Sequence, residues 1–247
     1  MAFTRNTDGF TSLPSGHPLQ DVDFQNPLKW SLFMEDFLAY DIGQAAGNPY
    51  TLTATNCTDT ITSPNGLLTL TLGGADNDGG ELQLTESPFA LVANKRLFLQ
   101  FRARLTLAAT GTVAANEIFI GLGTEQTTTN FMAAAGTSLT VDNALGFVKY
   151  DAGAAFGGVM RASDVESNDS GLITPTDGGW FTGAIYYTGT EARFFAGTAA
   201  DGSDFALKAT LTANDPTAAM TPTIWFKGGE AKANVLAVDY FLIASER

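Results

Sequence analysis

The sequence predicts an all-β sandwich of jelly-roll type, and three features carry this prediction. Short runs of alternating apolar and polar residues recur along the chain, bounded by turn signals rich in Gly, Asn, Asp and Pro. We find no convincing long helix, and no repeat of 20 to 50 residues that would indicate a propeller or a solenoid. A chain of 247 residues is also long enough to bury a sizeable core in one domain without disulfides.

The clearest strand signal runs from Leu97 to Leu107. Apolar residues occupy every second position, whereas Gln100, Arg102 and Arg104 fall on the opposite face. This pattern predicts a strand with one face on a core and one face near water. After a turn-rich gap, the run Glu-Ile-Phe-Ile-Gly-Leu-Gly (117–123) is expected to return as its antiparallel neighbour. The inward residues would be Leu97, Leu99, Phe101, Ala103, Leu105 and Leu107.

The remainder of the chain continues this pattern of strands and turns. Further strands are expected at 50–55, 67–72, 81–84, 146–151, 180–187, 191–196, 223–226 and 235–244. The last of them is apolar on both faces and is therefore expected to lie between two layers. Residues 131–135 suggest a short helical turn, and residues 164–179, rich in Asp, Asn, Gly and Ser, suggest a long loop.

Residues 1–30 differ from residues 31–247, which we treat as the jelly-roll domain. Prolines and glycines punctuate the first segment without lasting periodicity, which indicates an extended arm; a frayed tail is the alternative. The apolar patch at 29–40 fits either a short helix or a strand that leads into a turn. The residues expected to hold the arm on a partner or on the domain are Pro14, Pro18, Phe24, Pro27, Trp30 and Phe33.

Composition excludes several classes of function. The formal net charge of −13 disfavours nucleic acid and anionic membrane surfaces as partners, because both require clustered cations. Cys57 has no partner for an internal disulfide, and His17 is the only histidine, so zinc sites and histidine catalysis are not expected. We see neither a signal peptide nor an apolar run of 18 residues, and expect a protein made in a cytoplasm.

Three stretches carry a resemblance to a known family. They are Phe-Met-Glu-Asp-Phe (33–37), the strand rich in Phe and Arg (97–107) that leads to Ile-Phe-Ile-Gly-Leu (118–122), and Val-Asp-Tyr-Phe-Leu-Ile (238–243). From Phe33 onward the chain resembles phage virion proteins built on the concanavalin A-like jelly roll, a fold shared with laminin G domains. Such domains commonly decorate the head or stabilise the shell.

The resemblance implies a non-enzymatic structural protein of a phage virion. Its expected partners are the major capsid protein or other virion proteins and its own copies, with a trimer favoured. Its expected location is the virion, after synthesis in the host cytoplasm. No cofactor is expected.

Glycan cleavage is the first enzymatic function to weigh against this expectation. Concanavalin A-like glycosidases place two carboxylates on one strand face, whereas Glu117, Glu191 and Asp239 each stand alone in their predicted strands. We therefore expect no enzyme. Glu117 is expected at a strand end on the surface, and Asp239 near a turn or an interface.

Two acidic segments offer oxygen ligands of the kind that Ca²⁺ prefers. They contain Asp76, Asp78 and Glu81, and, as a weaker set, Asp164, Glu166, Asn168 and Asp169. The EF-hand spacing is missing from both. Solvated turns whose side chains bond their own backbone are the favoured alternative, so we expect no metal site.

Carbohydrate binding without cleavage is the alternative function, as in a host-surface adhesin on the virion. Trp180, Tyr187 and Trp225, with Tyr186 beside them, are the candidate stacking rings. Aromatic residues in strands also serve as core or cross-strand pairs, and this alternative stays open at the level of sequence.

Overall fold

The structure is a computed structural model, which describes residues 28–37, 49–62, 66–126, 131–199 and 202–247. Within these ranges the chain forms fifteen β-strands and no helix, so none of the described residues belongs to an apolar helix of membrane-spanning length. The predicted arm residues Pro14, Pro18, Phe24 and Pro27 lie outside the described residues.

The strands follow one another along the chain. They are β1 (Trp30–Glu35), β2 (Tyr50–Thr55), β3 (Cys57–Thr62), β4 (Leu67–Leu72), β5 (Gly79–Leu84), β6 (Leu97–Thr106), β7 (Asn116–Gly123), β8 (Asn143–Lys149), β9 (Phe156–Ala162), β10 (Val165–Ile173), β11 (Trp180–Tyr187), β12 (Ala192–Gly197), β13 (Ala206–Leu211), β14 (Thr221–Gly228) and β15 (Val235–Glu246).

The described strands form two antiparallel sheets. The eight-stranded sheet has the order β13-β12-β11-β6-β15-β4-β3, with β1 also paired to β15, and the seven-stranded sheet has the order β10-β9-β8-β7-β14-β5-β2. The main core lies between them and combines Leu68, Leu99 and Phe101 of the first sheet with Ile120 and Phe147 of the second. Two sheets packed face to face over one core are a β-sandwich, so the predicted fold class is confirmed.

Strand β6 has the predicted alternation: Leu97, Leu99, Phe101, Ala103 and Leu105 are all buried in the main core. The predicted neighbour is wrong, however. β6 pairs with β11 and β15, whereas β7 pairs with β8 and β14 in the other sheet. The gap between them crosses from one sheet to the other, and local sequence does not distinguish such a crossing from a hairpin turn.

The N-terminal apolar patch forms strand β1 and not a helix. Its six residues pair with the C-terminal half of β15, from Trp30 opposite Glu246 to Glu35 opposite Phe241. Strand β4 covers only the first part of the same edge, Val235 to Val238. The unpaired backbone groups of the longer β15 therefore supply the hydrogen bonds that make this segment a strand.

Two further predictions were wrong. Residues 165–173 form strand β10, paired with β9, and not a loop. It is an edge strand with largely exposed side chains, so its Asp, Asn and Ser content reflects solvent exposure and not irregular backbone. Residues 131–135 contain no helical turn; this segment forms an isolated β-bridge between Met132 and Leu139.

The segment 131–141 covers the outer face of the seven-stranded sheet. Phe131 stacks on Trp225 with ring centroids 6.2 Å apart and packs against Phe119 at 4.6 Å. Gly121 and Gly146 lie opposite each other beneath Phe119. Because they have no side chains, the aromatic rings can lie flat on the sheet.

Gly121→Ala is expected to destabilise the fold by about 1–3 kcal/mol, because the added Cβ would overlap the carbonyl oxygen of Leu145 and the backbone of Gly146. Urea denaturation measures the change. Gly153→Ala is the matched control, since its Cβ would lie 3.3 Å from its nearest neighbour, the oxygen of Tyr150. Equal stability of the two variants would contradict the close approach described here.

Candidate functional site

The outer face of the eight-stranded sheet presents a half-buried tryptophan. Trp180 begins β11 and lies directly opposite Arg104 of β6, while the next pair, Phe181 and Ala103, points into the core. Since side chains alternate between faces along a strand, Trp180 and Arg104 share the outer face. We call this face, formed by Arg102, Arg104, Trp180, Asp239 and Tyr240, the Trp180 surface.

Two guanidinium groups lie against the tryptophan ring. The central carbon of Arg102 lies 4.6 Å from the ring centroid and that of Arg104 lies 4.7 Å away. Both distances fall within the range of cation–π attraction. The ring and the two arginines therefore hold one another in place.

Arg102 also binds Asp239 of β15, with 3.0 Å between its Nη1 and the carboxylate Oδ2. Both side chains are about one-third exposed, so a ligand in solution can reach the pair. Beside it, Gln100 donates a hydrogen bond to the hydroxyl of Tyr240 at 2.8 Å. Burial raises the pKa of Tyr240 to about 12, which keeps its hydroxyl protonated at neutral pH.

Of the three predicted stacking rings, only Trp180 has an accessible surface. Trp225 is 1% exposed and Tyr187 is 2% exposed, and their neighbour Tyr186 is buried as well. Trp225 lies beneath Phe131, and the Tyr187 hydroxyl donates to Asp215 at 2.7 Å. Neither Trp225 nor Tyr187 offers a face to a sugar. Tyr187 faces inward to the main core, and Trp225 is covered by the packed segment 131–141.

The three candidate carboxylates do not come together. Asp239 lies in the Trp180 surface, at a register shift in β15 between Val238 and Tyr240. Glu191 binds Arg193 at 2.6 Å beside β12. Glu117 belongs to the other sheet, so the arrangement contains no pair of these acids on one strand face.

The expectation that Glu117 is a surface residue was wrong. It is buried on the outer face of the seven-stranded sheet, where it accepts a hydrogen bond from Lys227 at 2.9 Å. Burial raises the pKa of Glu117, opposed by the bond to Lys227. Sequence reasoning missed this pair because 110 residues separate its members.

The first acidic segment weighed for calcium is divided between a turn and a strand. Asp78 accepts a hydrogen bond from the backbone N of Ala75 at 2.7 Å, while Glu81 lies within β5 and is buried. Neither carboxylate oxygen of Glu81 has a hydrogen-bond partner. Because burial disfavours the charged form, the pKa of Glu81 rises to about 8.

In the second segment the acids bind protein groups. Asp164 pairs with Arg161 at 2.7 Å, and Glu166 accepts hydrogen bonds from Tyr150 at 2.6 Å and Asn168 at 2.7 Å. The described ranges contain no cluster of three or more His, Cys, Asp or Glu that could hold a metal ion. The geometry therefore offers no support for calcium in either segment.

The two described arm residues, Trp30 and Phe33, both pack on the domain. Trp30 is buried beside Phe98 and Leu242, with the Arg96 guanidinium 5.1 Å from its ring. Phe33 makes an edge-to-face contact with Phe89 at 6.0 Å between centroids. These two side chains anchor β1 to the sandwich.

Comparison with known proteins finds similarity of fold. No family model matches the chain, and no curated protein matches it. Lectin II from Ulex europaeus matches with a TM-score of 0.59 at 12% identity, over 88% of this chain and 99% of that chain. The carbohydrate recognition domain of Emp47p matches with a TM-score of 0.59 at 12% identity, over 88% and 97%.

An endo-1,3-beta-glucanase from Streptomyces sioyaensis matches with a TM-score of 0.55 at 15% identity, over 87% of this chain and 96% of that chain. At such identities the likeness shows the fold alone. The chain is thus an all-β sandwich with the lectin-like jelly-roll fold, as the concanavalin A-like resemblance implied. The fold neighbours do not show a phage virion role, and they include both lectins and a hydrolase.

Glu81→Gln is expected to stabilise the protein near pH 8 and to leave its stability almost unchanged near pH 4. The pKa of Glu81 rises from 4.5 to about 8 on folding, so the contribution of Glu81 to stability is greatest below pH 4.5 and falls as the pH rises to 8. A gain of about 1 kcal/mol would raise the Tm by roughly 2–4 °C.

Thermal unfolding from pH 4 to pH 9 measures this effect. The exposed residue Glu86 provides the matched control, Glu86→Gln, which should leave the pH profile as it is in the wild type. A Glu81→Gln profile with the wild-type slope would show that the carboxylate is ionised in the folded state.

Proposed function

We propose that this chain is a non-catalytic glycan-binding module and that the Trp180 surface is its binding site. The observation that carries the proposal is the half-buried Trp180 ring, which contacts two arginines beside an accessible Arg102–Asp239 pair. The names of several fold neighbours, among them lectins and a carbohydrate recognition domain, support the same class of function.

The groups present at this surface match the chemistry of a sugar. A pyranose ring has apolar C–H patches that pack on an indole, and its hydroxyls require donors and acceptors in fixed directions. Arg102 supplies planar donors and Asp239 supplies acceptors. Since the two side chains already bind each other, they are pre-organised and lose little conformational freedom when a ligand arrives.

A hydrolase is less well supported by the same geometry. Retaining and inverting glycosidases need two carboxylates facing one glycosidic bond. Here Glu117 is buried against Lys227, and Asp239 and Glu191 each bind an arginine in the eight-stranded sheet. We therefore propose binding without turnover.

Trp180→Ala is expected to abolish glycan binding while the fold is retained, because this ring lies on the outer face and not in a core. Binding to a glycan array, with circular dichroism as the check on folding, tests the expectation. Trp225→Ala should instead destabilise the protein by about 3–5 kcal/mol, because it removes a buried ring. Full glycan binding by Trp180→Ala would contradict the assigned site.

A second proposed function is assembly on a phage virion, as a capsid decoration or stabilising protein. It is supported by exposed apolar residues on β1, where Leu32 is 51% exposed and Met34 is 60% exposed. Leu28, just before this strand, is exposed as well. Neighbouring exposed apolar side chains mark surfaces that proteins cover on association.

On this second proposal, β1 and the preceding arm contact copies of the chain and the major capsid protein or other virion proteins. A trimer and a location in the virion are proposed with it. Both proposed functions are compatible in one molecule, because the apolar residues of β1 and Trp180 occupy different parts of the eight-stranded sheet.

Leu32→Gln combined with Met34→Gln is expected to convert an oligomer to a monomer, since it removes the apolar contact and leaves the buried Trp30 and Phe33 in place. Mass photometry of the purified chain measures the change. Val165→Gln, which alters an exposed apolar residue of the other sheet, is the matched control. A monomeric wild type, or an unchanged oligomer in the double variant, would count against this surface.

A further inference from the structure

We infer that the Trp180 surface is selective for acidic glycans, namely sugars that carry a carboxylate or a sulfate group, and that Arg104 binds the acidic group. This inference rests on the proposed glycan-binding function and names its ligand class. Its basis is the juxtaposition of an indole ring with a guanidinium group that has no carboxylate of its own.

Arg104 differs from the other arginines in the described strands. Arg102, Arg161 and Arg193 each pair with a carboxylate at 3.0 Å or less. Arg104 has no such pair in the described part of the chain, and its Nε is buried without a hydrogen bond. A buried donor that has lost water and gained no acceptor is costly. Arg104 as a whole is only partly buried, so a ligand oxygen can approach its guanidinium group.

The strand register explains why Arg104 lacks a partner. In register, its neighbours across the sheet are Trp180 on β11 and Ala237 on β15, and neither can accept a hydrogen bond through its side chain. The register shift in β15 between Val238 and Tyr240 places Asp239 against Arg102 instead. One arginine is thereby paired with a carboxylate, and the other has no such partner beside the ring.

A carboxylate or a sulfate ester fits this vacant guanidinium. A carboxylate presents two oxygens and a sulfate ester presents three. In either group, two of these oxygens can accept parallel N–H bonds from one arginine. With the acidic group on Arg104, 4.7 Å from the Trp180 ring centroid, the attached sugar ring would lie against the indole. The Arg102–Asp239 pair would then face its hydroxyl groups.

The chain's net charge of −13 opposes the approach of a polyanion but does not prevent its binding. At physiological ionic strength charges are screened over about 8 Å, so the local groups decide. Those groups are Arg104, the neutral pair of Arg102 and Asp239, and Asp177, whose Oδ1 already accepts a hydrogen bond from the backbone of Leu107. Affinity for the acidic ligand should therefore fall as salt is added.

Two matched pairs of polymers test the inference with the full chain in calorimetric titrations. Polygalacturonate is compared with its methyl ester, and dextran sulfate is compared with dextran. The first pair isolates the carboxylate and the second isolates the sulfate. The variants are Arg104→Gln and, as a control on the same outer face, Arg193→Gln, with circular dichroism confirming that both fold.

The expected result is that at least one acidic polymer binds about tenfold or more tightly than its neutral partner. Arg104→Gln should remove most of this difference, whereas Arg193→Gln should not. Equal binding of acidic and neutral partners, or a difference unaffected by Arg104→Gln, would overturn the inference and leave the proposed glycan function standing. No binding of any of the four polymers would overturn both.

Discussion

The structure depends on the pairing of β6 with β15 at the centre of the eight-stranded sheet. Their register runs from Leu97 opposite Ser245 to Thr106 opposite Val235, and every other strand of that sheet is attached to one of these two directly or through a neighbour. On the inner side the pair contributes Leu99, Phe101 and Ile243 to the main core. On the outer side the same register sets which polar side chains meet.

The outer faces of the two sheets differ in how far they are covered by other parts of the chain. Segment 131–141 closes the face of the seven-stranded sheet with Phe131, Met132, Leu139 and Val141, so Trp225 is buried there. The Trp180 end of the eight-stranded sheet keeps partly exposed Arg102 and Asp239. A binding site on a sandwich requires an accessible face, and this contrast explains why we place the site on the eight-stranded sheet.

Buried ionisable groups on the seven-stranded sheet affect the stability of the fold, whereas the polar groups of the Trp180 surface are assigned to ligand contacts. Glu117 and Lys227 neutralise each other, and Lys149 donates to the backbone oxygens of Ala114 and Asn116. Burial lowers the pKa of Lys149 to about 8 and raises that of Glu81 to the same region. Since both groups shift towards their neutral forms, they account for part of the pH dependence of folding, while ligand contacts are assigned to the other sheet.

By itself the sequence determined the fold class and the inward face of β6, because side-chain alternation is local and hydrophobic burial follows it. It therefore predicted the buried face of β6, the hairpin of β11 and β12, and Trp180 as a candidate. Tertiary structure alone decided that β6 and β7 belong to different sheets, that Trp225 and Tyr187 are inaccessible, and that Glu117 meets Lys227. It also decided that Arg104 stands opposite Trp180 with no acid beside it. The contacts of Trp180, Trp225 and Glu117 join residues about 70 or more positions apart, and their partners follow from strand order and register, which no local pattern encodes.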